Sequence, residues 1–211
     1  MPTLMHISAS PMNSQSFSGR VASAFVGSWL EAHPGSTVDQ LNVWTERLPQ
    51  FDALAASWKG KVMSGQVPTE EEMRSVQRVL DVGTRFLRAD HYLLSVPMWN
   101  FSLPYALKHY LDVLVQPGAT FAFDPASGFR GLVPSERPVQ LVLSRGNTDY
   151  VPGGVFDGFE FQESYLRAIL GFIGLTDVRT ITVECTAYPA EVCEPILSAA
   201  TERALTAASA F

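Results

Sequence analysis

Neither a concentration of positive charge nor a long apolar run is present in this sequence of 211 residues. Its 15 Lys and Arg are outnumbered by 21 Asp and Glu, which gives a formal net charge of −6, and the basic residues are scattered along the chain. A nucleic-acid partner would need a basic stripe to neutralise phosphates, and a membrane surface would need a basic cluster, so we expect neither. No apolar stretch approaches the ~20 residues that a membrane helix needs.

Cysteine is also scarce, since Cys185 and Cys193 are the only two. Their spacing matches no zinc site or CxxC redox motif, so we expect free thiols and no metal site, with a disulfide as the weaker alternative. Residues Met1 to Ser10 carry neither a basic start nor a long apolar run. No export signal is therefore predicted, and we expect a cytoplasmic protein. Hydrophobic residues make up 46% of the chain, and we interpret residues 1–211 as one domain.

Short apolar runs alternate with segments of helical periodicity, which is typical of βαβ units and a parallel sheet. Strands are predicted at Thr3 to Ser8, Thr37 to Val43, His91 to Pro97, Val139 to Ser144 and Val178 to Val183. A first helix is predicted to begin at Phe17 and to be stopped by Pro34-Gly35. Further helices are predicted at Thr69 to Leu87, Ser102 to Val115, Gln162 to Phe172 and Glu191 to Ala208. With helices on both faces, these elements predict an α/β fold whose five-stranded parallel sheet is doubly wound in the order 2-1-3-4-5.

The helix that begins near Thr69 has the clearest sequence signature. Thr69 followed by Glu72 predicts a capping box, in which each side chain accepts a hydrogen bond from a free N–H at the helix start. Its inward stripe is predicted to be Met73, Val76, Leu80, Gly83 and Leu87. Before this helix, Thr45 to Val67 is predicted to be irregular, and residues 116–137 are predicted to form an ordered loop or a short hairpin.

Ligands of an open parallel sheet bind at the carboxyl ends of the strands, where the strand order reverses. The loop after the first strand, Ser8 to Ser16, is rich in serine and runs directly into a helix. A helix start offers free N–H groups and partial positive charge, so this loop is a candidate phosphate site. It contains no Lys or Arg and lacks the GK[ST] ending of a P-loop. The alternative is that its serines only cap the helix and form turns.

Two further loops at the same predicted edge have unusual content. Pro97 to Phe101 combines polar and large apolar side chains that are suited to a flat aromatic ligand, although Trp99 and Phe101 are alternatively ordinary core residues. In Ser144 to Asn147, Gly146 permits close backbone approach, and consecutive N–H groups can stabilise negative charge on a ligand. Arg145 is expected to pair with a carboxylate and to have a structural role.

Residues Pro97 to Lys108 (PMWNFSLPYALK) resemble the PMYNF…P..LK motif of FMN-dependent NADH azoreductases and quinone reductases. Further matching positions are Asp112, Gly118, Thr120-Phe121, Gly128, Gly131-Leu132, Ser144 to Gly146 and Gly171 to Val178 (GFIGLTDV). These motifs occur in order over nearly the whole chain, so the likeness is more specific than any one motif. It implies a flavodoxin-like fold that binds FMN and reduces quinones or azo compounds with NADH or NADPH.

The resemblance also implies roles for individual residues. The ribityl phosphate would be held by Ser10, Ser14, Gln15 and Ser16. The isoalloxazine would run along Pro97, Met98, Trp99, Asn100, Phe101, Ser144, Arg145, Gly146 and Asn147. Members of the family are homodimers with FMN at the interface, so Phe121 and the 150–165 loop would close the partner's pocket. Trp99 departs from the usual Tyr, and Asn147 stands where a second Gly is usual.

The expected reaction is ping-pong hydride transfer through flavin N5, with no dedicated acid or base from the protein. A 2′-phosphate on the donor would need a basic residue, for which Lys59 and Lys61 are candidates. One alternative is a quinone reductase for which azo reduction is incidental. Another is a flavodoxin-type electron carrier without a small-molecule substrate. A serine hydrolase is disfavoured because the chain lacks a G-x-S-x-G motif.

Overall fold

A five-stranded parallel sheet lies at the centre of the computed structural model, which describes residues 1–211. The strands are β1 (Thr3–Ser8), β2 (Thr37–Asn42), β3 (His91–Pro97), β4 (Phe121–Asp124), β5 (Gly128–Gly131), β6 (Val139–Ser144) and β7 (Val178–Val183). The helices are α1 (Phe17–Ala32), α2 (Ala53–Met63), α3 (Glu70–Phe86), α4 (Tyr105–Leu114), α5 (Glu163–Ile173) and α6 (Ala190–Ser209). The sheet order β2-β1-β3-β6-β7 is the predicted order 2-1-3-4-5 once the separate β4–β5 hairpin is left out. The doubly wound, flavodoxin-like fold is therefore confirmed.

Each central strand contributes apolar side chains to two separate cores. In β1, Leu4 packs with α1 and α6 on one face of the sheet, whereas Met5 and Ile7 belong to the larger core on the other face. The same division separates Leu93 from Leu94 in β3. Successive side chains of a strand point to opposite faces, so a strand covered on both faces has a nearly continuous apolar sequence. This is why β3 and β6 could be recognised from their sequences.

Helix α2 lies within the stretch that was predicted to be irregular, so that prediction is wrong. Its sequence (ALAASWKGKVM) has no clear apolar stripe and contains a glycine, which weakens a helical pattern. Asp52 caps the helix, because its Oδ1 accepts a hydrogen bond from the Ala55 N–H at 2.9 Å. Trp58 then packs against Val76 and Val79 of α3. Contact with α3 therefore stabilises a helix whose own propensity is weak.

The capping box of α3 is confirmed. The Thr69 N–H donates to Glu72 Oε2 at 2.6 Å, and the Glu72 N–H donates to Thr69 Oγ1 at 3.3 Å. Glu72 is buried, and hydrogen bonds from Lys61, Ser57 and Thr69 lower its pKa to about 2. The observed inward stripe is Glu72, Val76, Val79, Gly83 and Phe86. The predicted stripe was rotated by about one position, and Met73 is exposed, because a paired carboxylate occupies the inward position beside it.

The remaining elements agree with the sequence to within a few residues. Helix α4 begins at Tyr105, after Pro104, and not at Ser102. The hairpin that was one option for residues 116–137 is formed by β4 and β5. Cys185 and Cys193 are both free, as predicted, and both are buried. None of the helices combines the length and apolar character needed to span a bilayer.

Candidate functional site

The loops that follow β1, β3 and β6 lie side by side at the carboxyl edge of the sheet. Ser8 at the end of β1 is opposite Ser95 of β3, and Pro97 at the end of β3 is opposite Ser144 of β6. The Met98 N–H also donates to the Ser144 carbonyl at 2.7 Å, which joins two of the loops directly. The chain passes from β1 to β2 on one side and reaches β3 on the other. This edge is therefore the switch point at which such sheets bind ligands.

In the first loop, two of the predicted phosphate residues have structural duties. Ser16 caps α1, since its Oγ accepts a hydrogen bond from the Gly19 N–H at 3.1 Å and donates one to the Asn13 carbonyl at 2.7 Å. The buried Ser10 hydroxyl accepts a hydrogen bond from the Met12 N–H at 3.2 Å. Ser14 and Gln15 are exposed, and their side chains make no hydrogen bond within the chain. The alternative interpretation thus applies to two of the serines, since Ser16 caps the helix and Ser10 stabilises a turn. Ser14 and Gln15 are free to meet a ligand.

The first loop fits a phosphate group in shape and in chemistry. A Cβ at Gly19 would overlap the carbonyl oxygen of Asn13, so only glycine lets the loop fold tightly over the start of α1. Residues 8–18 contain no acidic side chain that would repel an anion. The hydroxyl of Ser18 in the first turn of α1 is buried without a partner. Neutral donors and a helix start are a sufficient donor set for phosphate.

After β3, residues Asn100 and Phe101 form a tight turn with φ of 46° and 68°. Trp99 and Ser102 flank the turn and exchange two backbone hydrogen bonds, at 3.0 and 2.9 Å. Two positive φ angles are the signature of a type I′ turn, and they are unfavourable for a bulky residue such as Phe. Trp99 is 38% exposed and Phe101 is 37% exposed. Neither is therefore a core residue, and the turn presents both aromatic rings at the surface.

An aromatic residue that the sequence did not single out borders this turn. Trp44 follows β2, and its ring centroid lies 5.3 Å from that of Trp99 and 5.0 Å from that of Tyr105. Its indole N–H donates to the Ala9 carbonyl at 2.9 Å. On the other side of the turn, Phe101 lies 4.9 Å from Phe159. The sequence signal that could have identified Trp44 is its position just after the end of β2, at the carboxyl edge of the sheet where ligands bind.

Arg145 in the loop after β6 is buried and pairs with carboxylates, as predicted. Its guanidinium donates to Glu160 Oε1 and to Gln162 Oε1, each at 3.1 Å. Glu160 in turn accepts hydrogen bonds from backbone N–H groups at the start of α5. The side chain of Arg145 thereby attaches α5 to this loop and is not directed at a ligand. By contrast, the backbone N–H groups of Gly146 and Asn147 have no acceptor within the chain.

A polar cavity of about 540 Å³ opens beside the first loop, toward the edge strand β2. Its walls include Ser8, Asn13, Ser14 and His6, but none of the residues of the other two loops. His6 Nε2 lies 3.0 Å from Ser95 Oγ, and burial lowers the pKa of His6 to about 4. The imidazole is therefore neutral at neutral pH. The surface formed by the other two loops is open to solvent in the single chain.

Phe121, the predicted substrate-pocket residue, is not brought to these loops within one chain. Helix α4 starts near the carboxyl end of β3 and runs back toward the amino edge of the sheet, where the β4–β5 hairpin follows. Phe121 is 3% exposed there, with its ring centroid 5.0 Å from that of Phe172. Its assignment to a pocket stays a prediction that needs a second subunit.

The two lysines considered for a 2′-phosphate are engaged away from the three loops. Lys59 Nζ donates to the Val115 carbonyl at 3.1 Å and lies 5.7 Å from the Phe121 ring centroid. Burial lowers the pKa of Lys59. Lys61 pairs with Glu72 at 2.8 Å. Neither side chain is positioned to select the donor at the candidate site.

Comparisons with known proteins agree with this geometry. The sequence matches the Flavodoxin_2 family, described by its flavodoxin-like fold, over residues 2–207. An FMN-dependent NADH:quinone oxidoreductase of Desulfotalea psychrophila is 38% identical over 208 residues, which cover 99% of this chain and 97% of that protein. A protein of the same name from Nitratidesulfovibrio vulgaris is 42% identical over 193 residues, which cover 88% of each.

Solved structures of similar fold include azoreductases. One from Bacillus anthracis has a TM-score of 0.87 at 29% identity, and the match covers 100% of both chains. An FMN-dependent NADH-azoreductase from the same species, in complex with FMN, has a TM-score of 0.84 at 26% identity and covers 99% of this chain and 98% of its own.

Proposed function

Because the chain belongs to the flavodoxin-like Flavodoxin_2 family and is similar to FMN-dependent NADH:quinone oxidoreductases and azoreductases, we propose that it is an enzyme of this type. It reduces small quinones and aromatic azo compounds by a ping-pong, two-electron reaction. The observation that carries this proposal is the convergence of three loops at the switch point. One loop offers neutral phosphate donors, the second offers exposed aromatic rings, and the third offers free N–H groups. A cytoplasmic location, where NADH is available, is part of the same proposal.

The residues of the three loops divide the binding of FMN among them. Ser14, Gln15 and the start of α1 would hold the phosphate, while Ser10 and Ser16 keep the loop in shape. The turn from Met98 to Phe101 would lie along the isoalloxazine. When bound, FMN supplies two-electron transfer between NADH and the acceptor.

The electrostatic contribution of the protein comes from the loop after β6. The free N–H groups of Gly146 and Asn147 would donate hydrogen bonds to a ligand atom on which negative charge develops. No buried acid or base is needed, since solvent can deliver protons at an open surface. The salt-bridged Arg145 keeps this loop attached to α5, so the two N–H groups are held ready before a ligand arrives.

A homodimer with FMN at its interface is the second part of the proposal. Phe159 and Phe161 adjoin the turn at Asn100 and have exposed side chains, and the same 150–165 loop also exposes Val151 and Val155. Exposed apolar side chains that gather in one region mark interaction sites. A partner subunit would cover this surface, exclude water from the ring system and bring the partner's hairpin toward the pocket. Phe121 and the 150–165 loop would then close the site.

The decisive experiment titrates FMN into the purified protein and follows its visible absorbance, and then adds NADH without oxygen. We expect stoichiometric binding and prompt bleaching, followed by reoxidation on addition of a quinone. Initial rates at several fixed quinone concentrations should give parallel double-reciprocal lines. Intersecting lines would contradict the ping-pong scheme, and bleaching without reoxidation by quinones or azo compounds would favour an electron carrier.

A further inference from the structure

The side chain of Trp44 connects the loop after β2 to the phosphate loop, which is the first loop of the site, Ser8 to Ser16. Its indole N–H donates to the carbonyl of Ala9 at 2.9 Å, and the Ala9 N–H donates to the carbonyl of Ser95 at 2.9 Å. Ala9 is completely buried. The indole N–H therefore supplies the donor for a buried carbonyl at the point where the chain leaves β1.

A second contact strengthens this connection. The Trp44 N–H donates to Asn42 Oδ1 at 2.8 Å, and the Asn42 amide donates to Asn13 Oδ1. Asn13 has a positive φ of 50°, and its carbonyl is the one that receives the Ser16 hydroxyl. The segment Asn42 to Trp44 thus contacts the phosphate loop through both of its terminal residues, since Asn42 bonds to Asn13 and Trp44 bonds to Ala9.

The ring of Trp44 reaches the second loop. It packs against Trp99 with the ring planes 49° apart, and it meets Tyr105 edge-on at 78°. Trp99 begins the turn whose positive φ angles must be held in place by their surroundings. One side chain therefore contacts the loop proposed to bind the phosphate of FMN and the turn proposed to line its ring system.

We propose that Trp44 is a positioning residue that sets the spacing between the phosphate loop and the Trp99 turn, and thereby the affinity and orientation of the flavin. The inference rests on the function proposed above. A flavin has a fixed length between its phosphate and its ring, so a change in the spacing of the two loops weakens contacts at one end. Trp44 acts through Ala9 and Trp99.

Two substitutions separate the hydrogen bond from the ring. Trp44→Phe keeps an aromatic body but removes the N–H, which leaves the Ala9 carbonyl without its donor, and we expect about tenfold weaker FMN binding. Trp44→Leu also removes the contact with Trp99 and should weaken binding further. Trp58→Phe is the matched control, because Trp58 is a buried tryptophan of α2 that packs against α3. It should change FMN affinity less than about twofold.

Hydrogen exchange in the FMN-free protein provides a readout independent of activity. Trp44→Leu, which removes both the hydrogen bond to Ala9 and the ring contact with Trp99, should accelerate exchange in residues 9–16 and in residues 98–102 together. Trp58→Phe should accelerate exchange in neither segment. In steady-state kinetics with saturating FMN, Trp44→Leu should lower kcat because the ring system is held less precisely.

The outcomes distinguish this inference from the proposed function. If the unaltered protein fails to bind FMN, the proposed function is wrong. If the unaltered protein binds FMN and both Trp44 variants bind it as tightly as Trp58→Phe does, Trp44 has no positioning role. Faster exchange in only one of the two segments would equally overturn the claim that Trp44 couples them.

Discussion

Gly19 and Gly27 occupy the same helix, but only the first is required by its surroundings. A Cβ at Gly19 would overlap the backbone of Asn13 in the phosphate loop, whereas a Cβ at Gly27 would have nothing within 4 Å. The constraint at Gly19 therefore comes from the loop and not from the helix. The shape of the first loop therefore depends on the absence of a side chain at Gly19.

Gly19→Ala should push the phosphate loop away from the start of α1. We expect it to destabilise the protein by about 1–3 kcal/mol, as for other overpacking changes, and to weaken FMN binding. Gly27→Ala should stabilise it by about 0.5–1 kcal/mol, since alanine is the better helix former, and should leave binding unchanged. Urea unfolding and FMN titration measure both effects. Equal FMN affinity in the two variants would show that the loop accommodates the added methyl group.

His6 gives the protein a specific dependence on pH. Burial lowers its pKa from 6.5 to about 4 in the folded protein, so between these values the unfolded chain binds more protons. Stability should therefore fall as the pH decreases from 6.5 toward 4. His6→Gln should reduce this slope in urea unfolding measured at several pH values. Ser95→Ala, which removes the hydrogen-bond partner but keeps the imidazole, should retain it. An unchanged slope in His6→Gln would assign the effect to other groups.

At the scale of secondary structure, prediction was best where one signal was strong. The continuous apolar runs of β3 and β6 and the capping box of α3 were recognised to within a residue. Helix α2 was missed because its order comes from packing on α3, which no local pattern encodes. The inward face of α3 was predicted one position off, because Glu72 is buried by its partners in α2 and not by hydrophobicity.

The same limit applies to the candidate site. The three loops could be located because strand ends and motif residues are local features of the sequence. The division of labour within the first loop, where Ser16 caps the helix and Ser14 remains free, depends on hydrogen-bond geometry. The role of Trp44 depends on contacts with Ala9 and Trp99, which lie far from it in sequence.

The capping box of α3 makes a quantitative prediction for an element. Thr69→Ala removes the side chain that receives the Glu72 N–H, so it should destabilise the protein by about 1 kcal/mol. Thr84→Ala is the matched control, because Thr84 is an exposed threonine of the same helix. Its hydroxyl donates only to the Leu80 carbonyl one turn earlier. This substitution should change stability by less than about 0.5 kcal/mol. Thermal and urea unfolding measure both changes in stability. Equal changes in the two variants would show that the capping hydrogen bond of Thr69 contributes no extra stability.

At the scale of the whole molecule, the single chain leaves uncovered the surface proposed to bind the flavin ring, which is formed by the turn at Asn100 and the loop after β6. The polar cavity beside the first loop is lined by residues of β2 and α1, whereas the turn at Asn100 and the loop after β6 face solvent. Apolar side chains gather on this side, including Phe159 and Phe161, which adjoin the turn. A ring system bound there would be half-exposed unless a second subunit covered it. Dimerisation and cofactor binding are therefore expected to be linked.

Val155→Glu tests this link, because Val155 is 79% exposed in the 150–165 loop. A buried charge at the proposed interface should shift the protein from dimer to monomer at concentrations of about 10 µM, and FMN affinity should fall with it. Leu205→Glu is the control, since Leu205 is 44% exposed on α6, outside the loops of the site. Sedimentation velocity gives the mass, and FMN titration gives the affinity. A Val155→Glu protein that remains dimeric would locate the interface elsewhere. A monomer that binds FMN normally would show that one chain suffices for the cofactor, and would leave the partner only a role in receiving the acceptor.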